Sequence, residues 1–237
     1  MKELASAIGA TTYPGRGILI GKSADAKYAF LAYFIMGRSV NSRNRVFVED
    51  GEGLRTQAFD PSLMADPSLI IYAPVRVHGE STIVTNGDQT DTVYDALKQG
   101  QSFHRALTTR TFEPDAPNFT PRISALVERN ADDFRLEMSV LRCCDPEKQT
   151  ALRSFFEYDS VRPGCGYFIH TYAQDGNPIP PFTGEPEVVR LGSDFEAFSD
   201  TVWTALNEDN RVSLWTRAID LTSGKTQSRI YNKNQNQ

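Results

Sequence analysis

Apolar residues recur in two rhythms along this chain. Arg16 to Lys22 and Lys27 to Met36 carry apolar or aromatic side chains on both parities, which predicts two strands buried on both faces, joined by Ser23-Ala24-Asp25-Ala26. Leu69 to His78 and Ser81 to Thr85 read as a hairpin turning at Gly79-Glu80. Strands dominate again from Ile123 to Arg129, Phe134 to Cys143, Ala151 to Tyr158 and Gly166 to Ala173. A last hairpin, Val212 to Leu221 and Thr226 to Tyr231, turns at Ser223-Gly224-Lys225. Helical spacing appears in three places. Asp91 to Lys98 aligns Val93, Tyr94 and Leu97, and Ser102 to Thr109 aligns Phe103, Ala106 and Leu107. A third helix runs from Asp194 to about Leu206, with Ser193 and Glu196 as its cap signature.

Between these elements, Gly51 to Pro67, Glu113 to Pro121 and Gln174 to Pro186 are punctuated by Gly and Pro and read as loops. The first dozen residues are weakly patterned, and Asn232 to Gln237 form a polar tail. Hairpin-linked strands with a middle helical pair and one late helix predict an α+β fold, antiparallel sheets covered by helices. No linker splits the chain and no repeat is visible, so residues 1–237 are expected to form one domain, with 1–12 as an N-terminal extension.

Composition narrows the class. At 237 residues, with 40% apolar and 11% aromatic content, the chain can bury a substantial core. No apolar stretch is long enough to span a bilayer, the N-terminus lacks a signal-peptide core, and three cysteines do not suggest a disulfide framework. A cytoplasmic location and no membrane partner are expected. The net charge of -5 argues against nucleic acid as a partner.

Against that acidic background, Gly37-Arg38-Ser39-Val40-Asn41-Ser42-Arg43-Asn44-Arg45 places three arginines in a hydroxyl- and amide-rich loop. Guanidinium groups grip phosphate bidentately, and Ser and Asn supply neutral donors; a solvated loop pairing with carboxylates is the plain alternative. Tyr13-Pro14-Gly15-Arg16-Gly17 leads into a strand, where its glycines admit close approach of a ligand or simply make a turn. Val84 to Asp91 leaves a strand and enters a helix; Asp88 or Thr90 could cap that helix, and Asn86 and Asp88 stand where anions bind helix N-termini. Phe112 to Ser124 gathers Glu113, Asp115, Asn118, Thr120 and Arg122, a set suited to acid–base chemistry or to an ion-paired connection.

Walker, dinucleotide-binding, serine-elbow and Cys/His metal motifs are absent. His78, His104 and His170 lack ligand spacing and read as core or rim residues. Cys143 and Cys144, ending a strand-like run, read as buried and inert.

In order and spacing, Tyr13-Pro14-Gly15-Arg16, Gly37 to Arg45, Val84 to Asp91 and Thr120-Pro121-Arg122-Ile123 resemble the archaeal-type IMP cyclohydrolase family, over about Tyr13 to Thr226. The resemblance implies a four-layer αββα sandwich like that of N-terminal nucleophile hydrolases, without their chemistry, since nothing reactive follows Met1. It implies dehydrative closure of 5-formamidoimidazole-4-carboxamide ribotide (FAICAR) to IMP, with no cofactor, no metal and a homo-oligomeric assembly. The implied catalytic residues are Arg43, Tyr72, Glu113 and Asn86, with Glu113 as general acid/base. Arg16, Arg38, Ser39, Asp88, Thr120 and Arg122 are the implied substrate-binding residues. A non-catalytic purine-nucleotide-binding protein and an amidohydrolase acting on a small amide are the competing readings. The loops at 51–67 and 174–186 look long for the family.

Overall fold

A computed structural model describes residues 1–63 and 70–235. The strands are β1 (Lys2–Glu3), β2 (Arg16–Lys22), β3 (Tyr28–Met36), β4 (Arg45–Asp50), β5 (Gly53–Ala58), β6 (Val75–His78), β7 (Ser81–Thr85), β8 (Arg122–Asn130), β9 (Asp133–Asp145), β10 (Thr150–Tyr158), β11 (Cys165–His170), β12 (Glu187–Arg190), β13 (Arg211–Asp220) and β14 (Thr226–Asn232). The helices are α1 (Leu4–Ile8), α2 (Val40–Arg43), α3 (Gln89–Lys98), α4 (Phe103–Leu107) and α5 (Phe195–Ala205). They build a mixed α+β fold on two seven-stranded sheets. The first has the order β1-β12-β11-β2-β3-β13-β14 and the second β10-β9-β8-β7-β6-β5-β4. All pairings between these strands are antiparallel except β1 with β12.

The double-sided strands explain the packing. Along β3, Ala29, Leu31, Tyr33 and Ile35 join a core shared with Val84, Ala125, Val127 and Met138 of the second sheet. The alternate residues Phe30, Ala32, Phe34 and Met36 pack with Leu4, Ile8, Phe198 and Val202 of α1 and α5. In the second sheet Ile83, Leu126 and Leu141 turn the other way, onto Val93 of α3 and Phe103 and Leu107 of α4. Period-2 alternation thus sends one face of each sheet to the shared core and the other to helices.

Several expectations need correction. The stretch 51–67 does not begin as a loop: β5 pairs with β4 from Arg45↔Ala58 to Asp50↔Gly53. The rest of that stretch, from 64 on, lies outside the described residues, as does Leu69. The strand expected from Leu69 starts only at Val75, so Tyr72 sits in the connection before it. The first dozen residues contain β1 and α1, and Leu4, Ala7 and Ile8 are buried. The loop expected over 174–186 is followed by the unforeseen β12. Asp194, not Ser193, caps α5, its side chain accepting from the Ala197 N–H. Cys144 is exposed and Cys143 half-buried, so neither is a sealed core thiol.

Candidate functional site

Between the two sheets, at one end, ionisable groups meet that a hydrophobic core would not otherwise admit. Arg16 opens β2, on the parity of Ile18 and Ile20, and so faces the shared core. Arg45 opens β4 on the parity of Phe47 and is fully buried. Its Nε donates to the Ser42 carbonyl at 2.8 Å and its Nη2 to that of Met36 at 3.2 Å. Arg45 Nη1 and Arg16 Nε are buried without a hydrogen-bond partner among the described residues. Such donors are costly to leave unpaired and mark where an acceptor belongs.

Glu113 faces Arg16. It is 2% exposed, and its carboxylate stands 3.9 Å from Arg16 Nη2, too far for a hydrogen bond. Burial raises its pKa from 4.5 to about 7, against the downward pull of Arg16, Arg122 and Arg45; nearby Asp115 adds to the rise. A carboxyl poised there can take or give a proton at neutral pH. For Arg16, burial disfavours the charge, but Glu113 and then Tyr172, Tyr72 and Tyr13 hold its pKa well above the ordinary value. Arg45 goes the other way: burial lowers its pKa and the neighbouring charge of Arg16 adds to that, while Tyr72, Tyr33 and Tyr13 oppose it.

Tyrosines close the cluster. The Tyr72 hydroxyl lies 2.7 Å from that of Tyr33, which projects from the middle of β3. Thr56 of β5 pins Tyr72: the backbone N–H of Tyr72 donates to Thr56 Oγ1 at 2.8 Å, and the Thr56 N–H to the Tyr72 carbonyl at 2.9 Å. Tyr13 stacks on Tyr172, with ring centroids 5.8 Å apart, and the Arg38 guanidinium lies over the Tyr13 ring at 5.0 Å. The Tyr172 hydroxyl meets Thr120 Oγ1 at 2.6 Å, and Thr120 donates to Asp115 through both its hydroxyl and its N–H. Gly15 makes the turn into Arg16 possible. Its φ of +80° is left-handed, and a Cβ there would collide with Thr171 and the Tyr172 ring.

Of the ten expected site residues, Arg16, Tyr72 and Glu113 gather in this cluster, and Thr120 touches it through Tyr172. Arg38 lies at the rim, exposed, ion-paired with Asp175 and donating to the Gly176 carbonyl at 3.0 Å. Ser39 caps the single turn α2 by exchanging hydrogen bonds with Ser42. Arg43 is exposed, its Nε on the Gly37 carbonyl at 2.9 Å and its Nη2 on Asn210 at 3.2 Å. Two residues later, strand β4 turns Arg45 inward instead.

Asn86 is wholly buried and its amide is spent on structure. It donates to the Pro121 carbonyl at 2.9 Å and accepts from the Ile123 N–H at 2.9 Å and from Gln89 at 2.9 Å. Asp88 occupies the N-cap position of α3 but makes no cap hydrogen bond. Its carboxylate binds Arg110 at 2.5 Å and Arg122 at 2.7 Å, and Arg122 also donates to Gln89 at 2.6 Å. Arg122 therefore pairs with Asp88, not with Glu113 or Asp115, and acts on Glu113 only as a nearby charge.

Sequence reasoning did not single out Tyr33 or Tyr172, and it left Arg45 and Tyr13 inside motifs it singled out without choosing either as a site residue. A signal existed for two of them. Arg45 immediately precedes the apolar run Val46-Phe47-Val48, and Tyr33 is a hydroxyl placed mid-way along a strand buried on both faces.

The model of the IMP cyclohydrolase-like protein family matches residues 13–225. A Methanopyrus kandleri protein named IMP cyclohydrolase is 34% identical over 166 residues, covering 68% of this chain and 76% of that protein. A Methanococcus aeolicus protein of the same name is 29% identical over 211 residues, 81% of this chain and 93% of its own length. A third, from Methanosphaera stadtmanae, is 26% identical over 165 residues, covering 68% of this chain and 73% of that protein.

Proposed function

The chain belongs to the IMP cyclohydrolase-like protein family, and from that footing we propose that it closes FAICAR to IMP with loss of water. The observation that carries the reading is the pairing of Glu113, poised at about 7, with two guanidinium groups that keep buried N–H groups free. A carboxamide nitrogen is a poor nucleophile toward a formyl carbon. It needs orientation, a base for its proton and donors for the oxygen that gains charge.

Glu113 takes one carboxamide proton as the new N–C bond forms. Arg16 and Arg45 direct their spare N–H groups at the formyl oxygen, and Tyr72 donates to the same atom. Glu113 passes the carboxamide proton to the alkoxide, which gives the carbinolamine hydroxyl. It then takes the formamide N–H proton and delivers it to the hydroxyl as the C–O bond breaks, so water leaves, the ring C=N bond forms and Glu113 is again ionised. Arg38, exposed above Tyr13, serves the 5′-phosphate together with Arg43. Asp88 and Arg122 tune the electrostatics of Glu113, while Ser39, Asn86 and Thr120 hold the loops that carry the reacting groups.

The same reading takes the two sheets with α1 and α5 on one side and α3 and α4 on the other as an αββα sandwich of the N-terminal nucleophile hydrolase kind. It makes residues 1–237 one domain of a cytoplasmic homo-oligomer that needs no cofactor and has neither nucleic acid nor membrane as partner. No described helix is long and apolar enough to cross a membrane. The test is to mix purified protein with FAICAR and follow IMP chromatographically. Rapid IMP formation supports the reading. Nucleotide that binds without turnover favours a binding-only protein, and release of ammonia or free carboxylate favours an amidohydrolase.

A further inference from the structure

Among the described residues the hydroxyl of Tyr33 has one polar neighbour, and its position dictates which way that hydrogen bond runs. Tyr33 is fully buried in the shared core, its ring stacked on Phe47 at 5.6 Å between centroids. Among the described residues its oxygen meets a single polar atom, the Tyr72 hydroxyl at 2.7 Å. If Tyr72 donated to Tyr33, the Tyr33 proton would be sealed in the core without an acceptor, an arrangement buried groups avoid. If Tyr33 donates, both groups are served, because the Tyr72 proton is then free to leave toward the site. The surroundings favour the same direction. Tyr72 is within electrostatic reach of Arg16 and Arg45, and two cations stabilise an oxygen that accepts. Burial, followed by Tyr72 itself, also pushes the Tyr33 phenol well above its ordinary pKa, so Tyr33 keeps its proton at working pH.

We propose that Tyr33 is a positioning residue: by donating to Tyr72 it fixes the Tyr72 hydroxyl as a one-way donor aimed between Arg16 and Arg45, at the oxygen that gains charge during ring closure. The role rests on the cyclohydrolase reading; the direction of the hydrogen bond does not. Tyr33 touches no reacting atom. Its hydroxyl polarises Tyr72 and removes the alternative rotamer in which the Tyr72 proton points back into the core. Nothing else in the core requires a hydroxyl at this position, since Phe would fill the same space against Phe47.

Two measurements on Tyr33→Phe, Tyr72→Phe and the double variant test this. The first needs no substrate. Tyr72→Phe removes the only acceptor that the described residues offer a buried O–H, and its Tm should fall by roughly 2–12 °C. Tyr33→Phe should lose clearly less than Tyr72→Phe, and the double variant should recover most of what Tyr72→Phe lost. The second is turnover of FAICAR. Tyr72→Phe should lower kcat on the order of 10²-fold, as expected for loss of a direct donor. Tyr33→Phe should lower kcat about 10-fold with KM nearly unchanged, and the double variant should be no slower than Tyr72→Phe alone. A greater Tm loss in Tyr33→Phe than in Tyr72→Phe overturns the direction. A Tyr33→Phe rate within twofold of wild type, or fully multiplicative losses in the double variant, overturns the positioning role. Failure of the functional reading looks different: the unsubstituted protein then makes no IMP, before any variant is compared.

Discussion

Glu113→Gln should make the folded protein more stable at alkaline pH while destroying the proposed activity. Glu113 is 2% exposed, and burial holds its pKa at about 7 against an ordinary 4.5. Between those values the folded state keeps a proton that the unfolded chain has released. Stability must then fall as pH rises from about 4.5 to about 7, and stay depressed above it. At roughly 1.4 kcal/mol per pH unit, ionising the buried carboxyl costs about 3 kcal/mol once pH exceeds 7. Glutamine keeps the shape of the protonated acid and cannot ionise, so the variant escapes this cost.

For a chain of this length, about 3 kcal/mol corresponds to roughly 6–12 °C in Tm. The assay is thermal denaturation of both proteins between pH 4.5 and 8.5, read as the difference between them. That comparison cancels the titrating groups the two proteins share, and a fixed packing effect of the amide offsets it equally at every pH. The difference should sit near its minimum at pH 4.5 and climb to a plateau by about pH 8. A difference that does not vary with pH, or one that shrinks as pH rises, would refute the reasoning and return Glu113 to an ordinary paired carboxylate.

Arg45→Met should reduce kcat/KM on the order of 10²- to 10³-fold, the usual effect of removing a donor to a developing oxyanion, whereas Arg43→Ala should cost less than about 10-fold. Steady-state kinetics of the two variants decides which arginine of the loop serves the chemistry. Asn86→Ala should act chiefly on the fold. It removes the tether between the 84–90 turn and the start of β8, and urea denaturation should show a loss of about 1–3 kcal/mol.

Much of the fold could be read from the chain because its central strands are hydrophobic on both faces. Arg16 to Lys22 and Ser81 to Thr85 emerge with the expected bounds. The β4–β5 hairpin escaped because its second strand alternates Leu54 and Thr56 inward with Arg55 and Gln57 outward. With glycines at 51 and 53, that pattern resembles a polar connection. Helix α1 has only five residues and no side-chain cap, so its helicity comes from burying Leu4, Ala7 and Ile8, which local sequence does not announce.

The candidate site was half legible. Glu113 stands in a loop and Arg16 at a turn that opens β2; the composition of both stretches asks for a role, and both residues enter the cluster. The arginine loop misled because charge density ranks Arg38, Arg43 and Arg45 alike. Only the start of β4 decides that Arg45 is turned between the sheets while Arg43 stays at the surface. Asn86 stands in a turn motif that suits ligand binding and loop architecture equally, and its hydrogen bonds go to architecture.

The most direct test of the central claim is the pH dependence of kcat/KM for FAICAR closure. If Glu113 is the base, kcat/KM should rise about tenfold per pH unit below 7 and level off above it. That limb should vanish, together with most of the rate, in Glu113→Gln. A profile flat from pH 5.5 to 8.5, or a Glu113→Gln protein that keeps both the rate and the limb, would contradict the account.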